Sequence, residues 1–260
     1  MIHAFKQAKA AFIAVVLLSV GIAVAILLRD TGHPFYVSMI ASILMLGIGY
    51  FSGRVLANLV ASTRNTKLLG YLHMELDPEK FLKAYGDIPG GAKKGTSIEA
   101  VLRSYLASGH AAAGDYDRAL EVLATDPPAE DLSVQGLFAM DRTGYLLGKG
   151  DADGAEQQLL RLEEIIDATR IKKPELAANL TSSLKLHRQH LNCLRGAPVD
   201  TEWLEEAIPK AQYNIRRLEL SKVLAMTALR DGDAEAAKKH LSFLRKESGK
   251  TAFKKWADKQ

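Results

Sequence analysis

Two histidines and one cysteine on a single predicted helix are the residues whose spacing comes nearest to a reactive or metal-binding site. His187-x-x-His190 places two imidazoles about one turn apart, but no neighbouring Asp or Glu completes a ligand set, so the pattern favours surface or groove histidines over a metal site. Cys193 follows on the same helix, where a lone cysteine is more typical of packing than of a nucleophile. We assign no catalytic, cofactor-binding or metal-binding residue here.

A pair of glycines has the spacing of a phosphate-binding loop. Gly90 and Gly95 are correctly separated, but Thr96 replaces the lysine that must follow the second glycine, and no strand pattern precedes the segment. We therefore predict a helix-breaking turn followed by a cap at Thr96 or Ser97. Two adjacent acidic pairs are typical of solvated helix faces: Glu163-Glu164 and Glu205-Glu206. These patterns predict a protein that is not an enzyme and needs no cofactor.

The charge of the chain is divided unevenly between its two ends. The 260 residues carry a net charge of +4, and residues 1–67 hold six basic side chains against Asp30 alone. Residues 68–260 are nearly balanced, which argues against a nucleic-acid-binding domain, because such domains concentrate basic side chains on the folded part. A single cysteine also excludes a disulfide-stapled secreted scaffold.

Two uncharged runs near the N-terminus predict membrane-spanning helices, at about residues 10–28 and 35–53. Nineteen residues of helix are about 28 Å long, close to the thickness of the hydrocarbon layer. The connection from Arg29 to Pro34 is short and contains Gly32, so the two spans must return antiparallel as a hairpin. A cleaved signal peptide is the alternative, which the length of the first run disfavours.

Flanking basic residues predict the orientation of the hairpin. Lys6 and Lys9 precede the first span, and three basic residues follow the second: Arg54, Arg64 and Lys67. Both termini are therefore expected on the cytoplasmic side of a plasma or inner membrane. Neither run contains an ionisable residue, which favours an anchor over a transport pathway. Gly49 and Gly53 allow close helix approach, either to a second copy or to the first span beside Gly21 and Ala25.

A turn of the form Gly-Asp-x-x-x-Ala recurs in the rest of the chain. It begins at Gly114, Gly150 and Gly232, and a degenerate copy begins at Gly196, so that the spacings are 36, 46 and 36 residues. Glycine tolerates the left-handed backbone that ends one helix, Asp caps the next helix, and a small alanine lets the two helices touch. The repeat-defining residues are Gly114, Ala119, Gly150, Ala155, Gly232 and Ala237.

These turns, with apolar residues at helical spacing on both sides, predict an all-α protein: a two-helix transmembrane hairpin followed by an α-solenoid of about four antiparallel helix pairs. We assign 1–67 to the hairpin, 68–96 to connecting helices and 97–260 to the repeats with a basic C-terminal capping helix. The segment from about Ser97 to Arg245 resembles the tetratricopeptide repeat family, on Ala107, Gly114, Asp115, Tyr116, Ala119 and Leu123 and their later equivalents. Another helical-hairpin solenoid is the alternative.

The resemblance implies a concave face that binds protein segments, and hence a membrane-tethered adaptor or scaffold. Aligning the turns places these residues on that face: Ser104, Ser108, Met140, Gly144, Lys222 and Met226. Ordinary core filling is the alternative for the two methionines. A second candidate function is a structural subunit of a larger membrane complex, with the hairpin contacting other spans.

The last residues are strongly basic, with eight Lys and Arg from Lys238 onward against two acidic residues. Phe253 and Trp256 lie three apart on one side of a predicted helix. That helix can either cap the last repeat, which we favour, or lie against anionic lipid.

Overall fold

The computed structural model describes residues 5–28 and 34–260, and every regular element in these ranges is a helix. The predicted charged connection between the two spans, with Arg29 and Gly32, lies outside these ranges. A 3₁₀ turn occupies Pro89–Gly91. The α-helices are α1 Lys6–Leu28, α2 Phe35–His73, α3 Pro78–Tyr85, α4 Ser97–Ala113, α5 Tyr116–Val122, α6 Leu132–Lys149, α7 Ala152–Thr169, α8 Pro174–Leu194, α9 Thr201–Lys210, α10 Asn214–Asp231, α11 Ala234–Glu247 and α12 Ala252–Ala257.

The chain divides into two compact units. The first consists of residues 1–67 with 90–93, and the second consists of residues 68–89 and 94–260. The helix α2 contributes its first part to one unit and its last turns to the other.

In the first unit, α1 and α2 are long and apolar enough to cross a membrane. Most of their large apolar side chains are exposed, for example Leu17, Leu18, Ile43 and Leu44. A helix in the core of a soluble protein would bury such side chains, whereas a membrane-spanning helix presents them to lipid. The helix α2 also continues well beyond the predicted end of the span at residue 53.

Small residues form the contact between α1 and α2. The Ser42 hydroxyl donates to the carbonyl oxygen of Ala23 at 3.0 Å. Gly49 packs directly against Ser19, because a Cβ atom at position 49 would lie 1.7 Å from the serine Oγ. Gly53 lies against Phe12 in the same way, with 3.3 Å to the ring. Both glycines are therefore used inside the hairpin.

The expectation that Gly49 and Gly53 pack beside Gly21 and Ala25 of the first span is wrong. Gly21 has no atom within 4 Å of the position of a Cβ, and Ala25 is exposed. The contact is made instead by Ser19 and Ala23, which lie four residues apart and therefore on one stripe of α1. Gly21 lies two residues from each of them and points away from that stripe.

In the second unit, each of the four recurring glycines separates a pair of helices that follow one another in the chain: α4 and α5, α6 and α7, α8 and α9, α10 and α11. The two helices pack against each other in the first, second and fourth pairs, whereas α9 of the third pair packs against α10. Gly114, Gly150, Gly196 and Gly232 have φ between 68° and 94°, the left-handed region that glycine adopts without strain. An aspartate then caps the second helix of each pair by accepting a backbone N–H, at 2.9–3.1 Å: Asp115, Asp151, Asp200 and Asp233. Ala119, Ala155 and Ala237 are buried where the paired helices meet.

The segment 68–85, assigned from the sequence to connecting helices, packs into this unit as part of its core. Leu72, Phe81 and Tyr85 are almost completely buried. The Phe81 ring lies so close to Gly109 of α4 that a Cβ at 109 would be 2.6 Å away. Leu76 joins the apolar cluster of α10, α11 and α12, and its carbonyl oxygen accepts the Lys250 N–H at 3.0 Å.

The last helix contacts the first pair as well as the last. Phe253 and Trp256 of α12 pack against Leu218 and Leu244, which is the packing that a capping helix needs. The helix α12 also contacts α4, where Ala252 lies 3.0 Å from the position of a Cβ on Gly114. The last helix therefore lies against both α4 and α11.

Candidate functional site

A cavity of about 240 Å³ lies at the centre of the second unit. The first helix of each pair contributes to its wall, namely α4, α6, α8 and α10, together with the end of α2 and with Phe253 of α12. Polar positions three or four residues apart bring side chains to the same face of each helix: Ser104 and Ser108, Asp141 and Tyr145, His187 and His190, Glu219 and Lys222.

Two glycines on α6 make room for these side chains. A Cβ at Gly144 would lie 3.3 Å from Nε2 of His187, and a Cβ at Gly148 would lie 2.5 Å from the Tyr116 ring. A side chain at Gly148 would displace the Tyr116 ring, and one at Gly144 would shift the His187 ring by a few tenths of an ångström. The close packing around the cavity therefore depends on glycine at these two positions of α6.

The side of the cavity formed by α4 and α6 is lined with oxygen atoms. The Ser104 hydroxyl donates to Oδ2 of Asp141 at 2.5 Å, and Ser108 donates to the carbonyl oxygen of Ser104 at 3.0 Å. The Tyr145 hydroxyl lies 3.0 Å from Oγ of Ser108. Burial raises the pKa of Asp141 to about 7, against the opposing effect of the Ser104 hydrogen bond, and also raises the pKa of Tyr145.

The side formed by α8 carries two histidines without hydrogen-bond partners. Nδ1 of His187 and Nε2 of His190 are inaccessible to solvent and bond to no atom of the described residues. Burial lowers the pKa of both imidazoles to about 3, helped by the charge of Arg216 at His187 and of Lys222 at His190. Both rings are therefore neutral, and no protein hydrogen bond determines which nitrogen carries the proton.

The side formed by α10 carries one acid and one base. Glu219 accepts a hydrogen bond from Nη1 of Arg216 at 3.1 Å. Lys222 is only 8% exposed, forms no ion pair with any described residue, and has its Nζ 5.5 Å from the centre of the Trp256 ring. Burial lowers the pKa of Lys222 to about 8, although the Glu219 charge acts in the opposite direction.

Four of the six residues expected on a binding face line this cavity: Ser108, Met140, Gly144 and Lys222. Ser104 is buried behind them and reaches the cavity through its hydrogen bond to Asp141. Met226 is half-buried and does not belong to the cavity wall. The two histidines, predicted as surface or groove residues, are part of the wall.

Sequence reasoning missed four polar residues of the cavity, namely His73, Asp141, Tyr145 and Glu219. A signal was present, because Asp141 follows the expected Met140 directly and Glu219 lies one turn before Lys222. Acidic residues on helices are usually solvated, however, and nothing local distinguishes these two from Glu163, which pairs with Arg188 on the surface.

The other chemically suggestive residues have structural contacts. Thr96 caps α4 by accepting the N–H of Glu99 at 3.3 Å, after the 3₁₀ turn that contains Gly90. Cys193 is buried, with its Sγ 3.5 Å from the Thr227 hydroxyl. Within the described ranges, no three His, Cys, Asp or Glu side chains are grouped so that they could hold a metal ion.

The arrangement is therefore a small, partly open cavity with Asp141 and hydroxyl oxygens on one side, and with Lys222, Glu219 and two neutral imidazoles on the other. Comparison with known proteins assigns no role to this cavity. No family model matches the chain, and neither the curated proteins nor the solved structures include a significant match to it.

Proposed function

We propose that this protein is a non-enzymatic adaptor that is tethered to a membrane by α1 and α2 and binds a protein partner through the central cavity of its helical repeats. One observation carries the proposal: the first helices of all four pairs converge on a single cavity, which gathers Ser108, Met140, Gly144 and Lys222. The resemblance to tetratricopeptide repeats supports it, because that family uses the same helices to bind protein segments.

The membrane part of the proposal is supported by the exposed apolar side chains of the hairpin. The excess of basic residues beside both spans favours a cytoplasmic location for both termini, and hence for the repeats, at a plasma or inner membrane. A partner bound in the cavity would thereby be held at the cytoplasmic surface.

The cavity supports recognition of a short segment over a broad surface contact. Its volume is about 240 Å³, and Leu72 at the end of α2 and Phe253 of α12 are among the residues that line it. A side chain or a chain end can enter such a space, whereas a folded domain cannot. Buried polar groups at the wall would then select the segment, since an unmatched polar group in a closed site costs about 1–3 kcal/mol.

The proposal is tested by crosslinking the full-length protein in native membranes and identifying the captured proteins. We expect Met140→Glu to abolish capture of a specific partner, because it places an additional charge in the cavity. Ile171→Glu serves as the matched control, since Ile171 is 93% exposed and lies outside the cavity.

The helical circular dichroism of both variants must equal that of the wild type for the comparison to be valid. Because Met140→Glu can also unfold the chain, Met140→Gln provides a second, uncharged change at the same position. If Met140→Glu and Met140→Gln both fold and both capture the partner as well as the wild type does, binding does not use the cavity and the proposal fails.

A further inference from the structure

The central cavity contains a buried acid and a buried base that do not pair with each other. Asp141 is held on α6 and receives one hydrogen bond from Ser104, and Lys222 is held on α10. No ion pair connects either residue to another side chain among the described residues. Opposite charges in one protein interior normally pair, because burying a lone charge costs several kcal/mol. Here the cavity lies between them.

The two histidines are also unmatched. His187 and His190 are on α8 and have lost their contact with water at one nitrogen each without gaining a protein partner. Buried polar atoms in native structures usually have a hydrogen-bond partner, and an unpaired one calls for an explanation such as a functional role or a bound water or ion. Because the tautomer is free, each ring can carry its proton on the opposite nitrogen, Nε2 of His187 or Nδ1 of His190, and can donate it from there to a ligand in the cavity.

The unmatched groups differ between the two sides of the cavity. Lys222 and the histidines can donate to an anion, whereas Asp141 and the Tyr145 hydroxyl can accept from an N–H or ammonium group. A ligand with both functions would satisfy both sides together. A phosphate group fits less well, because its second negative charge would face Asp141 and Glu219.

The remaining wall suits a short apolar group. Met140, Leu186 and Phe253 line the cavity beside the polar residues, and its volume of about 240 Å³ is of the size of a single residue and a few further atoms. An amino-acid unit carries a carboxylate, an N–H or ammonium group and a side chain on one carbon atom, and so matches all three parts of the wall.

We propose that the cavity binds an amino-acid unit with a free α-carboxylate, with the carboxylate at Lys222 and the two histidines and the nitrogen at Asp141 and Tyr145. The unit has two possible sources: the C-terminal residue of a protein or a free amino acid. The inference deepens the proposed function, and its chain-end form rests on that function.

The test uses the full-length protein in lipid nanodiscs and isothermal titration calorimetry. The standard amino acids are titrated one at a time, and the best of them is then compared with its amide, its N-acetyl derivative and a tripeptide that ends in it. We expect the amide to bind at least about tenfold more weakly than the free acid, because it lacks the anion that pairs with Lys222.

Two variants connect binding to the proposed contacts. Lys222→Met is expected to weaken binding of the acid at least about tenfold, and Lys222→Arg to retain most of it. Lys246→Met is the matched control, because the Lys246 side chain is 83% exposed on α11 and is not part of the cavity wall. Far-ultraviolet circular dichroism reports whether each variant keeps its helices.

The pattern of ligands identifies the source. Binding of the N-acetyl derivative and the tripeptide, together with the acid, supports the inference and identifies a chain end as the ligand. Binding of the free amino acid alone also supports it, but then the partner segment of the proposed function does not occupy the cavity.

The inference is overturned if no amino acid binds, if the amide binds as tightly as the acid, or if Lys222→Met leaves the affinity unchanged. In each of these cases, crosslinked capture in native membranes that is lost in Met140→Glu would still support the adaptor. The two proposals can therefore fail separately.

Discussion

The ammonium group of Lys222 lies 5.5 Å from the centre of the Trp256 ring, and this aromatic face compensates its charge together with the negative charge of Glu219 one turn earlier on α10. Cation–π contacts of this kind contribute about 0.5–2 kcal/mol. Removing an ammonium group from water costs several kcal/mol, so the contact offsets the cost only in part. The lowered pKa of Lys222, about 8, is the consequence.

We therefore expect Lys222→Met to stabilise the ligand-free protein at pH 7. A shift in pKa from 10.5 to about 8 corresponds to a cost of about 3 kcal/mol when the lysine is charged in both the folded and the unfolded state. The folded protein loses this proton first, so the cost is complete below about pH 8 and disappears as the pH rises towards 10.5. Denaturant unfolding of the full-length protein in detergent measures it.

The pH dependence separates this effect from changes in packing. The gain in stability of Lys222→Met over the wild type should decrease between pH 8 and pH 10.5, and exposed Lys246→Met should show no such gain. A gain that is the same at every pH would assign the effect to the shape of methionine instead of the charge of lysine.

The two cavity histidines should contribute less to stability in acid. Their pKa values are about 3 in the folded state, and an unfolded histidine titrates near 6.5. Between these values the unfolded chain binds more protons at each histidine, so their contribution to stability falls as the pH is lowered, by up to about 2 kcal/mol per histidine at pH 5. Asp141 acts in the opposite direction, because its raised pKa of about 7 makes the folded chain bind the extra proton below pH 7. A histidine variant therefore isolates the contribution of the imidazole.

Replacing one of them, His187→Asn, should therefore reduce the loss of stability between pH 7 and pH 5, as measured by denaturant unfolding at the two pH values. Asn179→Ser changes an exposed residue on the same helix and should retain the acid sensitivity of the wild type. An unchanged loss in His187→Asn would show that the imidazole is not held neutral by the fold.

The hairpin should depend on Gly49 and not on Gly47. A Cβ at Gly49 would collide with Ser19, whereas a Cβ at Gly47 meets no atom within 4 Å. Gly49→Leu is expected to separate α1 from α2, and Gly47→Leu to leave them in contact. Disulfide formation between cysteines placed at Val15 and Gly53, whose Cβ positions lie 3.4 Å apart, measures the separation.

Gly49→Leu should lower the yield of that disulfide severalfold in detergent-solubilised protein. Cys193 is buried and is replaced by serine in all samples, so that the two introduced cysteines are the ones that react. Equal yields for the two glycine variants would contradict the contact of Gly49 with Ser19.

The turn glycines should be needed because their backbone has a positive φ, and not because a side chain would lack space. Gly150 has φ of 82° and no atom within 4 Å of the position of a Cβ, so Gly150→Ala should cost about 1 kcal/mol through strain alone. Gly70 has equally open surroundings but lies inside α2, where alanine favours the helix, so Gly70→Ala should stabilise by about 0.5–1 kcal/mol. Denaturant unfolding should thus give shifts of opposite sign.

The sequence by itself determined the features that depend on neighbouring residues. The uncharged runs predicted two helices long and apolar enough to cross a membrane, and the structure has them as α1 and α2. The all-helical class also follows from local spacing. The same local reasoning located the turn at Gly114, since one glycine and one aspartate suffice to end one helix and begin the next.

Tertiary structure alone decided what faces the cavity. Asp141 and Lys222 are far apart in the chain, and each looks like an ordinary solvated side chain in its own helix. The surrounding helices, with α12 against α4 and Leu76 beside the last pair, leave both side chains with little contact with water. Burial shifts their pKa values and leaves them unpaired, because desolvation depends on every element that surrounds a group and not on its neighbours in sequence.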